Sequence, residues 1–162
     1  IAKEGIPIHW VTPVGFPVFQ YYPEMKSKRV RSHLMGEVFA PQIKQETKET
    51  DKLRSRNAVA ANYVHSLDSA CMVKTVNIAK AKGIDSFCNV HDSFATHACD
   101  IDKLNQSIRE AFVDTFSQDL FTKFKLDVGQ LLPDETRNKL PAIPESGDLN
   151  LALLHQSKFF FA

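Results

Sequence analysis

Ile101, Leu104, Ile108, Phe112 and Phe116 recur at intervals of three and four residues, which puts all five on one face of an α-helix. An apolar stripe of that length has to be covered by other parts of the chain, so the sequence commits itself to a helix packed on a core. Asp100, just ahead of the stripe, suits the N-cap position, where a carboxylate accepts from the free amides of the first turn. With 162 residues of which 43% are hydrophobic, the chain can bury one sizeable core, and nothing in its length asks for more than one compact unit. That unit is a single domain or part of a larger one.

The segments around the stripe differ in character. From His9 to about Phe39, short β-favouring runs (Trp10-Val11, Pro17 to Tyr22, Arg29 to Val38) are punctuated by Pro13, Gly15, Pro23 and Gly36, and two or three strands are expected. In the third run Arg29, Arg31 and His33 fall on one face, because side chains of an extended chain alternate. Residues 43–61 are charged and free of glycine, with Lys44, Lys48 and Lys52 four apart, which predicts a helix with a basic face ending before Asn62. Ser66 then suits the N-cap of a second helix over 67–82, with Met72, Val76 and Ala79 inward and Gly83 as its stop. Ile84 to Val90 reads as a buried strand and Phe94 to Cys99 as its return partner. His91, Asp92 and Ser93 are left at the turn. Residues 123–139 read as helical or irregular, 141–144 as a linker, and the chain closes on Phe159-Phe160-Phe161-Ala162. The expected class is α+β over one piece, 1–162: a strand-rich opening (1–40), helices (43–82), a hairpin (84–99), helices (100–140) and a linker with an aromatic end (141–162).

The net charge of +1 conceals an asymmetry, because residues 22–56 hold nine Lys or Arg against five Asp or Glu. Such a strip, with Arg29, Arg31, Lys52 and Arg54 in it, is either a solvated face or a surface for phosphates. Cys71, Cys88 and Cys99 are too few and too unevenly placed for a disulfide framework, so reduced thiols in an intracellular compartment are expected. No run approaches the ~18 apolar residues of a membrane span. The first residue is Ile1 rather than Met, and a natural beginning further upstream is expected.

An aspartate at a hairpin tip, held by two strands, is a sound mount for a Mg²⁺ ligand, since that ion prefers oxygen and few protein contacts. The plain alternative is that Asp is a favoured turn residue. His65 lies 26 positions before His91 at the expected lip of the second helix, near enough for the fold to bring it to the hairpin, where a neutral ring can donate to a sugar or base edge. Its plain alternative is a ring bonded to a nearby carbonyl, and His91 carries the same ambiguity. Cys88, His91, His97 and Cys99 superficially suggest zinc, but alternation places Cys88 and His91 on opposite faces and the spacing matches no structural zinc pattern. A His-Asp phosphohydrolase built on His91-Asp92 is disfavoured because such pairs sit on helices. Ser93 lacks the glycines of a nucleophile elbow, and no glycine-rich phosphate loop is present.

Asn62-Tyr63-Val64-His65-Ser66-Leu67-Asp68-Ser69 followed by Val90-His91-Asp92-Ser93-Phe94 resembles the last catalytic region of single-subunit RNA polymerases of phages and mitochondria. Thr96 to Asp100 resembles that family's exit from the hairpin, Leu140 to Pro144 and Gly147 to Leu151 its approach to the terminus, and Phe159 to Ala162 its aromatic foot. Trp10 to Pro13 with Gly15 to Val18 is similar to its upstream strand pair. The blocks keep family order over essentially the whole chain. Ala61, Tyr63 and Ala95 depart from residues common in the family and leave His65 and Asp92 in place.

The resemblance implies the carboxy-terminal part of the palm, with its adjoining region, of a right-hand DNA-directed RNA polymerase. It implies that Asp92 binds Mg²⁺, that His91 positions the hairpin, that His65 contacts the growing end of the RNA–DNA hybrid, and that Phe161 and Ala162 pack back near the active site. The basic strip would meet phosphates of template or hybrid. Implied partners are template DNA, the RNA transcript, ribonucleoside triphosphates and the remainder of the polypeptide, in a mitochondrion or the cytoplasm of a phage-infected bacterium. The family's other metal-binding aspartate and its nucleotide-binding helix are expected upstream of Ile1, so the isolated chain is expected not to polymerise. A non-catalytic nucleic-acid-binding or assembly part of a split polymerase is the other expectation.

Overall fold

The computed structural model describes residues 5–160, the side chain of Leu34 excepted. Strands β1 (Ile8–Val11) and β2 (Pro17–Gln20) form an antiparallel hairpin. Its turn closes through Thr12 N to Phe16 O at 2.9 Å and Gly15 N to Thr12 O at 2.9 Å, with Gly15 at φ +81°, a region open to glycine. β3 (Pro23–Arg29) pairs with β6 (Gln42–Thr50), and between them β4 (Ser32–Leu34) pairs with β5 (Glu37–Phe39) around Met35 and Gly36, both at positive φ as a two-residue hairpin turn demands. Nearly every side chain from Glu24 to Glu49 is exposed, so this ribbon stands clear of the body as an arm.

The body is built on α1 (Lys52–Ala81), a 30-residue helix about 45 Å long. Its N-cap is Asp51, whose side chain accepts from Arg54 N at 2.9 Å. Its end is a glycine motif: Gly83 sits at φ +86° while Gly83 N bonds Lys80 O at 3.0 Å and Ile84 N bonds Ala79 O at 3.1 Å. Ile84 thereby folds back onto Ala79, and with Leu104 these form one core cluster, flanked by Phe87, Phe94 and Ile108. α2 (Ile101–Phe116) runs antiparallel along α1, joined to it by ion pairs of Lys74 with Asp114 and of Lys82 with Glu110. Fully buried Thr75, Ala79, Ala111 and Thr115 let the two backbones approach, and both threonine hydroxyls donate within their own helices, to Cys71 O and Ala111 O.

A second cluster joins the other end of α1 to β1 and α3 (Leu120–Gln130): Ile8, Trp10 and Val128, with Val18, Val59, Tyr63 and Phe124 against them. Trp10 meets Tyr63 and Phe124 edge to face at 5.8 and 5.7 Å, and its Nε1 donates to Ser66 Oγ at 2.9 Å. Tyr63 donates its hydroxyl to Leu120 O at 2.8 Å. Burial, helped by the Asp127 carboxylate, raises its phenol from 10.0 to about 12. A proton held more tightly in the folded than in the unfolded chain leaves stability intact below pH 10 and removes it as pH rises from there through about 12. Thermal melts across that window should lose stability in wild type and lose less in Tyr63→Phe, which gives up about 1 kcal/mol of hydrogen bonding at neutral pH instead.

Several expectations are corrected by this architecture. Residues 43–50 are strand rather than helix, because Gln42–Thr50 finds its hydrogen-bond partners in β3; Lys44 and Lys48 are strand residues and Lys52 opens α1. Ser66 is no N-cap, since α1 runs through it unbroken and its hydroxyl, buried under Trp10, donates to Tyr63 O. Arg29, Arg31 and His33 share no continuous strand: β3 ends at Arg29, and β4 begins at Ser32. Ile84 is buried, but the strand after it is only Cys88–Val90 and is exposed. Ile101 is 54% exposed and lies off the stripe's buried face. Asp100 holds the N-cap position of α2 without a side-chain capping bond; its carboxylate takes Lys103 Nζ at 2.9 Å, which holds its pKa below the ordinary range. Residues 123–139 resolve into most of α3 and the short α4 (Asp134–Arg137), and the approach to the terminus carries a 3₁₀ turn, Leu151–His155. The expected α+β mixture of helices and strands is what the chain shows. Among the described residues no helix is long and apolar enough to cross a membrane.

Candidate active site

β7 (Cys88–Val90) and β8 (Ser93–Ala95) pair so that Val90 faces Ser93, which makes His91 and Asp92 the whole of a two-residue turn. His91 adopts φ +54°, a left-handed conformation that costs a non-glycine residue roughly 1–2 kcal/mol, though His tolerates it better than most. The hairpin is fastened at three points. Phe94 packs on the Ala79–Ile84–Leu104 cluster, Thr96 donates to Ser86 O at 2.8 Å across its base, and the Asn89 amide lies 2.9 Å from Met72 Sδ on α1. A turn so held presents its two side chains at a fixed place.

That place is a cleft of about 770 Å³ between the hairpin, α1 and α2, lined by His65, Asp68, His91, Asp92, Phe112 and Phe116 among others. His65 is therefore brought to the hairpin turn as expected, but from the middle of α1 and not from a helix entrance. Asp92 is exposed, and among the described residues its carboxylate makes no hydrogen bond or ion pair. Asp68 was not singled out from the sequence as a site residue; its spacing of three from His65 on one helix is the signal that places both on the same wall. Cys71 and Thr75 continue that wall, and burial pushes the Cys71 thiol above its ordinary range, leaving it protonated and poorly nucleophilic. Among the described residues no three His, Cys, Asp or Glu side chains assemble into a metal-holding group.

The basic residues do not share the cleft. Arg29 ends β3 and Arg31 follows it, both exposed on the arm. Lys52 and Arg54 lie in the first turn of α1, about 16–20 Å along the axis from His65, with the Arg54 guanidinium 4.8 Å from the centroid of the Tyr22 ring. Phe161 and Ala162 lie outside the described residues, but Phe160 reaches the back of the cleft wall, its ring 5.2 Å from that of Phe112 and edge to face.

A family model described as DNA-dependent RNA polymerase matches residues 1–139. The chain belongs to this family. DNA-directed RNA polymerase 2, chloroplastic/mitochondrial, of Arabidopsis thaliana is 38% identical over 161 residues, covering 99% of this chain and 15% of the relative. DNA-directed RNA polymerase 1B, mitochondrial, of Nicotiana tabacum is 37% identical over 164 residues, again 99% and 15%. DNA-directed RNA polymerase 1A of Nicotiana tabacum is 37% identical over 164 residues and is covered to 99%, as is this chain. The chain thus spans about 15% of the length of the first two relatives and nearly all of the third. Segments 62–69 and 90–94, which carry the resemblance to the last catalytic region, are both brought by the fold to this one cleft.

Proposed function

We propose that the protein to which this chain belongs carries out template-directed RNA synthesis on DNA, with the chain supplying part of the palm and part of the active site. The observation that carries this is the meeting of His65 with the His91-Asp92 turn in one cleft, in a chain of the RNA polymerase family. The RNA 3′-hydroxyl attacks the α-phosphate of a ribonucleoside triphosphate and gives up its proton to solvent; a new phosphorus–oxygen bond forms, the bond from the α-phosphorus to the α–β bridging oxygen breaks and pyrophosphate leaves. Asp92 fits a Mg²⁺ ligand: it is an exposed oxygen donor on a rigid tip with no partner of its own among the described residues. When bound, a pair of Mg²⁺ ions lowers the cost of charge on the attacking and leaving oxygens. His91 holds the turn, the left-handed φ being a strain that a glycine would avoid and that an imidazole facing the reacting ends makes useful. His65, exposed on α1, donates to the end of the transcript. Loss of RNA extension in Asp92→Ala tests the proposal.

The arm and the start of α1 serve the phosphates of template or hybrid through Arg29, Arg31, Lys52 and Arg54. Binding of an RNA–DNA scaffold should then weaken as salt rises, and Arg29→Ala with Arg31→Ala should lower the log–log salt slope by about one for each phosphate no longer neutralised. A titration series whose slope is the same in wild type and variant would remove those arginines from the interface. The first two relatives named above are mitochondrial or chloroplastic by name, which favours an organelle as the setting and lends no weight to a phage-infected bacterium.

A further inference from the structure

Arg109 on α2 is buried to 8% exposure, an expensive place for a cation unless its donors are used. Its Nε donates to Asn105 Oδ1 at 2.8 Å, an Nη donates to the carbonyl of Leu154, and its guanidinium carbon lies 5.3 Å from the centroid of the Phe160 ring. One side chain thus grips the 3₁₀ turn Leu151–His155 and the aromatic residue beyond it. Phe160 meets Phe112 edge to face at 5.2 Å, and Phe112 leans on Phe116 at 4.4 Å. Both of those rings line the cleft that holds His65, His91 and Asp92. An apolar residue at 109 would fill the space at lower cost, but it would not fix the orientation of the strap, which a planar guanidinium fork does.

We infer that Arg109 is a positioning residue for polymerisation: it clamps the strap 151–160 to α2, Phe160 thereby holds Phe112, and the aromatic wall of the cleft keeps the shape in which the reacting ends meet. The inference rests on the proposed RNA synthesis. Nothing in it requires Arg109 to touch nucleic acid or nucleotide, since it acts through the two rings.

The test uses the complete parent polymerase as wild type, Arg109→Ala, Arg109→Lys, Phe160→Ala and the Arg109→Ala/Phe160→Ala double variant. Three readouts are taken: steady-state RNA extension, melting temperature, and chymotryptic cleavage within 151–160. Misplacing a reacting group by about 1 Å can cost about 100-fold, so each alanine variant should lose between about 10-fold and 100-fold in kcat/KM. The double variant should lose no more than the worse single, because both cut one chain of contacts. Arg109→Lys should recover part of the loss, Arg109→Ala should expose the strap to cleavage, and Phe160→Ala should melt near wild type. Full extension by an Arg109→Ala enzyme whose strap is freed overturns the inference and leaves the polymerase reading intact. So do losses that multiply in the double variant, or losses that only follow melting temperature. A wild-type enzyme that extends no RNA overturns the polymerase reading and this role with it, while the cleavage pattern still reports whether the clamp exists.

Discussion

Replacing Asp92 with alanine is expected to abolish RNA extension by the complete parent enzyme while leaving its melting temperature and its grip on an RNA–DNA scaffold close to wild type. Loss of an outer-shell partner of a metal ligand already costs roughly 10- to 100-fold, so removal of a ligand itself should exceed the upper end of that range. Stability should hardly change, because Asp92 is exposed and its carboxylate makes no hydrogen bond or ion pair among the described residues. The hairpin that carries it is fastened through Phe94, Thr96 and Asn89. A variant that extends normally would make Asp92 a turn residue only, and the chain would then read as a nucleic-acid-binding or assembly part of its polymerase.

The largest effect on stability is expected at Trp10. It is 1% exposed, packs edge to face on Tyr63 and Phe124, and donates to Ser66. Trp10→Ala should cost about 3–5 kcal/mol, the range for deleting a buried aromatic side chain and leaving a cavity. Trp10→Phe keeps a ring in place and should cost about 1–2 kcal/mol, largely the missing hydrogen bond, since the Ser66 hydroxyl retains Tyr63 O as acceptor. Chemical denaturation of the two variants separates the contributions. Equal midpoints for Trp10→Ala and wild type would show that the β1–β2 hairpin is not part of the cooperative core.

The cleft was legible in the sequence to the extent that its chemistry is local. A histidine and an aspartate between two strand-like runs already specify a hairpin turn, and the apolar spacing from Leu104 to Phe116 already specifies the helix that backs it. What the spacing could not supply was the other wall. His65 stands in that wall in line with Asp68 and Cys71 because α1 runs through Ser66 without a break, and a serine in the middle of a helix is indistinguishable by sequence from a serine that begins one. The deciding contact is Trp10, 56 residues away, whose indole N–H donates to that hydroxyl.

The same division explains the arm. Gln42–Thr50 carries charged residues at helical spacing, yet it is strand, because a weak local preference yields to a partner strand that satisfies its backbone groups. The spacing puts Arg29, Arg31 and His33 on one strand face, but that face is broken at Val30 and Arg31, where β3 has ended and β4 has not begun. Sequence by itself determined what short-range physics can settle: the amphipathic stripe of α2, the glycine that ends α1, the turn that presents His91 and Asp92, and the blocks of family resemblance. Tertiary structure alone decided that α1 is one helix, that residues 43–50 are strand, and that the strap reaches the cleft's aromatic wall through Arg109. Each of these depends on a partner distant in sequence, whose contribution to the free energy no local pattern contains.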